Sequence, residues 1–502
     1  MPPQSSQPPQ SPDTSPGQRT TRRAASVILV VAGVLVLLVL FGLLRTPATS
    51  PPVDAVQPLW TEASDLQAEK SYSAAAEVYE QLAALSPQDP EPLLAMGDIY
   101  LTQHRWPMAE DAFNRALARE GGNAQALAGL AQALWEQRER LRAVMLWEAA
   151  LQDRHEPEAS DTGVRLALAY LDLGRPADAA ATLQQELDRS DNPTARLYLA
   201  MLQAKDDPDG ARQELVAIQD DAPQPLLDAR DYMLAALDEA QTGGSPAEAA
   251  KALGLAFVQI EEWQLAREAL ERALKLDPID AEAMAFLGHT HAQLGSPALK
   301  YLMSAVEAQP DWPLGHYLLG LFYLKHELYG LAVEEFKTTL QLDPGNAQAQ
   351  VDLAHAQVGL GQYLAAEEAL VGAVESAPDD LSFHLALVRF YADHTFRVTD
   401  RGLSAAQAAA DLAPDDPRVR DLLGWVLFLA GDPGQSRHHL ESALRLDPEL
   451  ASAYYHLGVL HDVLGEDEAA EVAFGRAIDL DTDGFYRDQA QKALREMTQA
   501  RE

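Results

Sequence analysis

Residues 313–344 read PLGHYLLGLFYLKHELYGLAVEEFKTTLQLDP. Apolar side chains recur at helical spacing on both sides of a short turn, which predicts two amphipathic helices packed as a pair. Gly320 and Ala332 fall where the two helices cross, and small residues there let the backbones approach closely. Tyr323 and Phe336 supply bulk that fills the gap to the neighbouring pair. The stretch ends on Leu342-Asp343-Pro344. The residue before a proline disfavours the α region, and proline itself suits a helix's first turn. The Asp-Pro step is therefore expected to stop one helix and start the next.

The same pattern returns along the chain. Pro278, Pro310, Pro344, Pro378, Pro414 and Pro448 are spaced by 32, 34, 34, 36 and 34 residues. Leu276-Asp277-Pro278 and Leu446-Asp447-Pro448 repeat the closing tripeptide. Tyr454, Leu457-Gly458, Gly465, Ala470 and Phe474 form one further unit, and Met96-Gly97, Tyr100, Ala109 and Phe113 another.

At these residues the chain resembles the tetratricopeptide-repeat family, whose 34-residue unit carries the pattern W-x2-L-G-x2-Y…A-x3-F…P. The resemblance covers roughly residues 58 to 484. It implies an all-α fold, a right-handed superhelical solenoid of helix pairs that binds other proteins on its concave face. Departures divide the array. The unit ending at Pro414 is two residues longer than the 34-residue unit and has a polar turn over 394–401, with Gly402 at the small crossing position. Residues 157–242 are degenerate, 226–241 reads as an unpaired helix, and Thr242-Gly243-Gly244-Ser245-Pro246 reads as a break. The expected organisation is a disordered tail (1–23), a transmembrane helix (24–44) and a Pro-rich spacer (45–57). An N-terminal block (58–241), a C-terminal block (246–484) and a capping helix (485–502) follow. Ala490, Leu494 and Met497 share one side of that last helix.

The transmembrane expectation rests on 21 uncharged residues, Ala24 to Leu44, rich in Val and Leu. At about 1.5 Å per residue such a helix spans roughly 30 Å, the hydrocarbon thickness of a bilayer. Arg19, Arg22 and Arg23 precede it and only Arg45 closely follows. The positive-inside rule then keeps the N-terminus cytoplasmic and the repeats outside, as in a single-pass membrane protein.

The chain carries 76 Asp plus Glu against 38 Lys plus Arg, a net charge of -38, which disfavours nucleic acid as a partner. Its 47% apolar content excludes wholesale disorder. With no cysteine there is no disulfide, thiolate metal site or cysteine nucleophile. No catalytic signature is present, so the chain is expected to be no enzyme and to need no cofactor. The thirteen His form no pair at i, i+3 or i, i+4 with a third ligand, so no metal site is expected either. Glu261-Glu262, Glu334-Glu335 and Glu367-Glu368 read as solvated charge on helices.

The family's better-known charged groove clamps a peptide's terminal carboxylate with Lys and Asn. Its Asn positions hold no Asn here, from Ser64 to Val459. Apolar residues occupy the groove side of later first helices instead. They are Tyr317, Leu321 and Leu324 in one unit, Trp425 and Phe428 in another, and Tyr455 and Val459 in the last. These predict a groove that takes proteins or peptides with apolar or basic segments. Trp60 and Trp135 also suit the groove, whereas Trp147 falls at the core position. The resemblance extends to bacterial anchored repeat scaffolds of envelope assembly and secretion. The alternative is an arrangement like the mitochondrial import receptors, with repeats in the cytosol; an enzyme site within 157–242 is a further, less favoured one.

Overall fold

A computed structural model describes residues 53–152, 160–242, 244–481 and 484–501. Among them are 26 α-helices, one π-turn and no strand. The first pairs are α1 (Val53–Ala68) with α2 (Tyr72–Leu85), α3 (Glu91–Thr102) with α4 (Trp106–Arg119), and α5 (Ala124–Glu136) with α6 (Arg140–Ala150). Next come α7 (Ser160–Asp172) with α8 (Pro176–Leu187), α9 (Pro193–Gln203) with α10 (Pro208–Val216), and a single helix α11 (Gln224–Gln241). Then follow α12 (Pro246–Gln259) with α13 (Trp263–Leu276), α14 (Ala281–Gln293) with α15 (Leu299–Ala308), and α16 (Pro313–Lys325) with α17 (Tyr329–Leu342). The last are α18 (Ala347–Gly359) with α19 (Tyr363–Ser376), α20 (Leu381–Asp393) with α21 (Leu403–Leu412), α22 (Pro417–Leu429) with α23 (Pro433–Leu446), α24 (Ala451–Val463) with α25 (Asp467–Leu480), and α26 (Phe485–Arg501).

The expected tail and anchor, residues 1–23 and 24–44, lie outside the described residues, and among those described no helix is long and apolar enough to cross a membrane. The expected spacer is shorter than 45–57. From Val53 on the chain is helical, with Pro58 inside α1. As the sixth residue of that helix, Pro58 cannot donate to the carbonyl four positions back.

One device ends most of the first helices. The residue after the C-cap takes a left-handed backbone, and the next N–H bonds back to the carbonyl five positions earlier. Examples are Arg105 N to Tyr100 O at 2.8 Å, Leu328 N to Tyr323 O at 2.9 Å and Gln362 N to Gln357 O at 2.8 Å. Glycine holds the left-handed position at Gly361, but His104 and Glu327 hold it elsewhere. The Asp-Pro steps stop helices as expected, since Asp277 and Asp343 are the C-caps of α13 and α17. They do not start the next helix. Pro278 and Pro344 stay in the turn, and the N-caps are Asp280 and Asn346, whose side chains accept from Ala283 N and Ala349 N.

Crossings are as tight as the small residues imply. A Cβ placed on Gly97 would lie 2.6 Å from the Phe113 ring, and one on Gly320 2.7 Å from Phe336. Phe113 also fills the space beside Gly129 of the next pair. The two extra residues of the unit ending at Pro414 form the π-turn Val398–Gly402, entered through Arg397 at φ 49°. That turn is not simply polar. Arg397 Nη1 donates to Glu367 at 2.7 Å, and Phe396 stacks on Tyr363.

The helices end and restart where the break is expected, at Gln241 and Pro246, but the buried core is not interrupted there. One buried cluster runs unbroken from Leu197 to Leu287 and includes Met233 and Leu237 of α11 together with Leu253 and Phe257 of α12. Helix α11 is an odd helix but not a solitary one, because its apolar face is covered by α12. Trp60–Glu502 accordingly forms one compact unit. Its last helix, α26, buries Ala490 and Met497 against Ala470 and Phe474.

Candidate partner-binding groove

First helices of successive pairs touch each other directly, as α16 does α18, α20 does α22 and α22 does α24. From α12 to α24 they form one continuous layer, and residues on its open side are presented together. All seven candidate residues are half-buried on these helices.

Two separate clusters hold them. Tyr317, Leu321 and Leu324 of α16 pack on the core around Phe336 and Leu353. The Tyr317 hydroxyl donates to Asp352 Oδ2 of α18 at 2.8 Å. Burial, then that carboxylate, pushes the phenol well above its ordinary range. The second cluster is a run of stacked rings. Phe428 lies parallel to Trp425 at 5.1 Å, and Trp425 to His456 at 4.4 Å. Tyr486 of α26 meets His456 edge-on at 5.9 Å and Tyr455 at 5.6 Å. Val459 packs beside Tyr455 on the core of the last pair. Trp425, Phe428, Tyr455 and Val459 are thus assembled at one place, and Tyr317, Leu321 and Leu324 at another.

Sequence patterns did not point to the polar support beneath the rings. His456 Nδ1 lies 2.7 Å from Asp421 Oδ1, and Ser452 Oγ donates to Asp421 Oδ2 at 2.6 Å. Asp421 is 2% exposed and His456 5%. The pair fixes the imidazole plane against which Trp425 stacks. Burial, then Asp421, pushes the Tyr486 phenol up to about 12. A signal existed: Asp421 and His456 are 35 residues apart, as are Tyr317 and Asp352, so each pair joins equivalent faces of adjacent repeats. The serine is bonded to the carboxylate rather than to the imidazole, so this is not a nucleophile–base arrangement. No group of three or more metal-ligating side chains occurs among the described residues.

The acidic pairs are not uniformly solvated, contrary to the sequence expectation. Glu262 accepts from Tyr198 Oη, Glu335 lies 2.7 Å from His316 Nδ1, and Glu367 takes Tyr391 Oη at 2.7 Å. In each pair one carboxylate turns inward to meet a polar ring, and Glu261-Glu262 sits in a turn rather than a helix. Trp147 is core, 2% exposed. Trp135, 5.7 Å from it, is half-buried, and Trp60 meets Tyr79 edge-on at 5.6 Å.

Tetratricopeptide-repeat sequence profiles match residues 66–133 and 323–389 in one form. A second form matches 164–224, 226–278, 251–299 and 422–485, and together they cover more than half of the chain. The chain belongs to the tetratricopeptide-repeat family. Among individual proteins, BBSome complex member BBS4 of Bos taurus is 26% identical over 235 residues, 46% of this chain and 44% of that protein. Human protein O-mannosyl-transferase TMTC1 is 24% identical over 211 residues, 39% of this chain and 23% of that protein. This repeat chain therefore spans less than half the length of these relatives. The crystal structure of yeast Tom70 aligns with 88% of this chain and 96% of its own at a TM-score of 0.38 and 16% identity.

Proposed function

We propose that this protein is a non-catalytic scaffold that holds partner proteins through the layer of first helices, with the ring cluster of α22, α24 and α26 as its main contact. A repeat array of this family is a protein- and peptide-binding fold. The single observation that carries the reading is the stack Phe428–Trp425–His456, with Phe428 and Trp425 half-buried on the layer and His456 buried and held by Asp421. Large flat side chains held rigid on an open face bind extended apolar segments at little entropic cost. The acidic surface favours partners with basic residues beside that apolar segment.

The test is a photo-reactive amino acid at Phe428 in the full chain, expressed in its own cell. Trp425→Ala and Tyr455→Ala should remove the cross-linked species while circular dichroism stays helical. Unchanged cross-linking with the fold intact would rule out the ring cluster.

Residues 24–44 support a further element of the proposal, a single membrane anchor with the repeats held outside the cytoplasm, in a role in envelope protein assembly or secretion. Protease added to intact cells should then cut the repeats. Protection until the cells are lysed would reverse the orientation.

A further inference from the structure

A cavity of about 510 Å³ opens inside the array, lined from α5, α6, α7 and α9 on one side and the α12–α13 turn on the other. Its walls carry three indoles and a phenol: Trp135, Trp147, Trp263 and Tyr198. Four carboxylates and two guanidiniums complete the lining.

The charges sort by what already occupies them. Arg140 is paired with Asp172, and its guanidinium lies 5.1 Å over the Trp135 ring. Arg165 donates to Gln132 Oε1 at 2.8 Å. Glu262 takes the Tyr198 hydroxyl, and burial holds its carboxyl above the usual range. Glu136 receives only the Gln132 amide, at 2.9 Å, and Glu261 pairs with no described cation; both are exposed. Two carboxylates therefore stand uncompensated beside aromatic faces, in a chain whose net charge is already -38.

We infer that this cavity receives an arginine or lysine side chain presented by an extended segment of a partner protein, its cation set against the indole faces and its charge met by Glu136 and Glu261. Aromatic faces attract cations, and a planar guanidinium stacks on them better than a compact ammonium does. Arg140 on Trp135 is the same contact made internally, with Asp172 as its acid. The cavity's size suits one long side chain with some of its backbone. This site lies in the other half of the array from the ring cluster. It rests on the protein-binding reading for its partner but not on Trp425 or Tyr455.

The full chain, held in detergent and carrying fluorinated tryptophan at its seven Trp positions, is titrated with Nα-acetyl-arginine N-methylamide and followed by fluorine NMR. The Trp135 and Trp263 resonances, assigned by Trp→Phe substitution, should shift saturably, while the citrulline counterpart leaves them unmoved. Glu136→Gln with Glu261→Gln should weaken binding about tenfold, as expected when two exposed charge contacts are lost. No saturable shift, an equal response to citrulline, or an unchanged affinity in the double variant would each overturn the inference. A null result here leaves cross-linking at Phe428 untouched, so the two readings fail separately.

Discussion

Asp98 in α3 stands at a position where the family's carboxylate-clamping members carry Asn. Burial, opposed by the Gln125 amide at 3.0 Å, raises its carboxyl from 3.8 to about 6. Between those values the folded chain binds a proton that the unfolded chain releases. Stability is therefore lost as pH rises from about 4 to about 6 and is not regained above that window. Asp98→Asn keeps an acceptor for Gln125 and removes the penalty. It should add about 1–2 kcal/mol near pH 7.5, the shift's full value being discounted for a half-exposed group, and nothing near pH 4. Urea midpoints at both values check this, and an equal gain at both would show that the carboxyl's charge is not the cause. Single residues also show what the sequence revealed of the site. The fixed phase of a first helix let the apolar candidates be named from the sequence, and Trp425 and Tyr455 are half-buried on α22 and α24. Their polar partners could not be named in this way. Nothing within one repeat marks Asp421 or His456 as partners until the neighbouring repeat is set beside it, and Tyr486 lies on the last helix, outside the repeat pattern.

Helix crossings carry the energy at the next scale. Gly97 faces the Phe113 ring so closely that a methyl group has nowhere to go, since Gly129 presses the same ring from the far side. Gly97→Ala should cost about 1–3 kcal/mol, the usual range for overpacking a filled interior. Gly475 in α25 has no atom within 4 Å of a built Cβ. Gly475→Ala should stabilise by about 0.5–1 kcal/mol through the lost freedom of the unfolded chain. Denaturant midpoints of opposite sign for the same chemical change would tie the repeat's glycine to its crossing, and a loss at both would trace the effect to helix chemistry in general. Pairing was legible for the same reason: glycine, alanine and a large ring recur at fixed spacing. Helix α11 was harder to place. It has no second helix of its own, so a repeat template leaves it unpaired, yet Met233 and Leu237 are buried because α12 covers them. The Asp-Pro steps misled in a smaller way, since an extended residue before proline ends a helix without fixing where the next begins.

At the scale of the unit Trp60–Glu502, the first pairs meet the last. Arg487 Nη1 donates to the Gln103 carbonyl at 2.7 Å, and Ser73 Oγ donates to Asp479 Oδ1 at 2.6 Å. Arg476 Nη1 donates to Ser71 Oγ at 2.9 Å, and Lys70 pairs with Glu449. Gln103 is 2% exposed and Asp479 8%, so the junction is dry enough for charge-assisted bonds to count. The repeat pattern holds no trace of it, because polar residues some 400 positions apart share no periodicity. Each bond is modest, and removing Arg487 leaves the Gln103 carbonyl without its donor in a buried place. Arg487→Ala with Asp479→Ala should therefore free the ends while every hairpin stays folded, since hairpin contacts are made within the repeats. The chain has no cysteine of its own, so Glu77→Cys and Val472→Cys, both at exposed positions on the helices that meet, accept spin labels selectively. Pulsed electron resonance should give one narrow distance distribution in the parent chain and a broader, longer one in the double alanine variant, with helicity unchanged. A distribution that stays narrow in the variant would show that packing along the whole array, rather than these polar bonds, brings the two ends together.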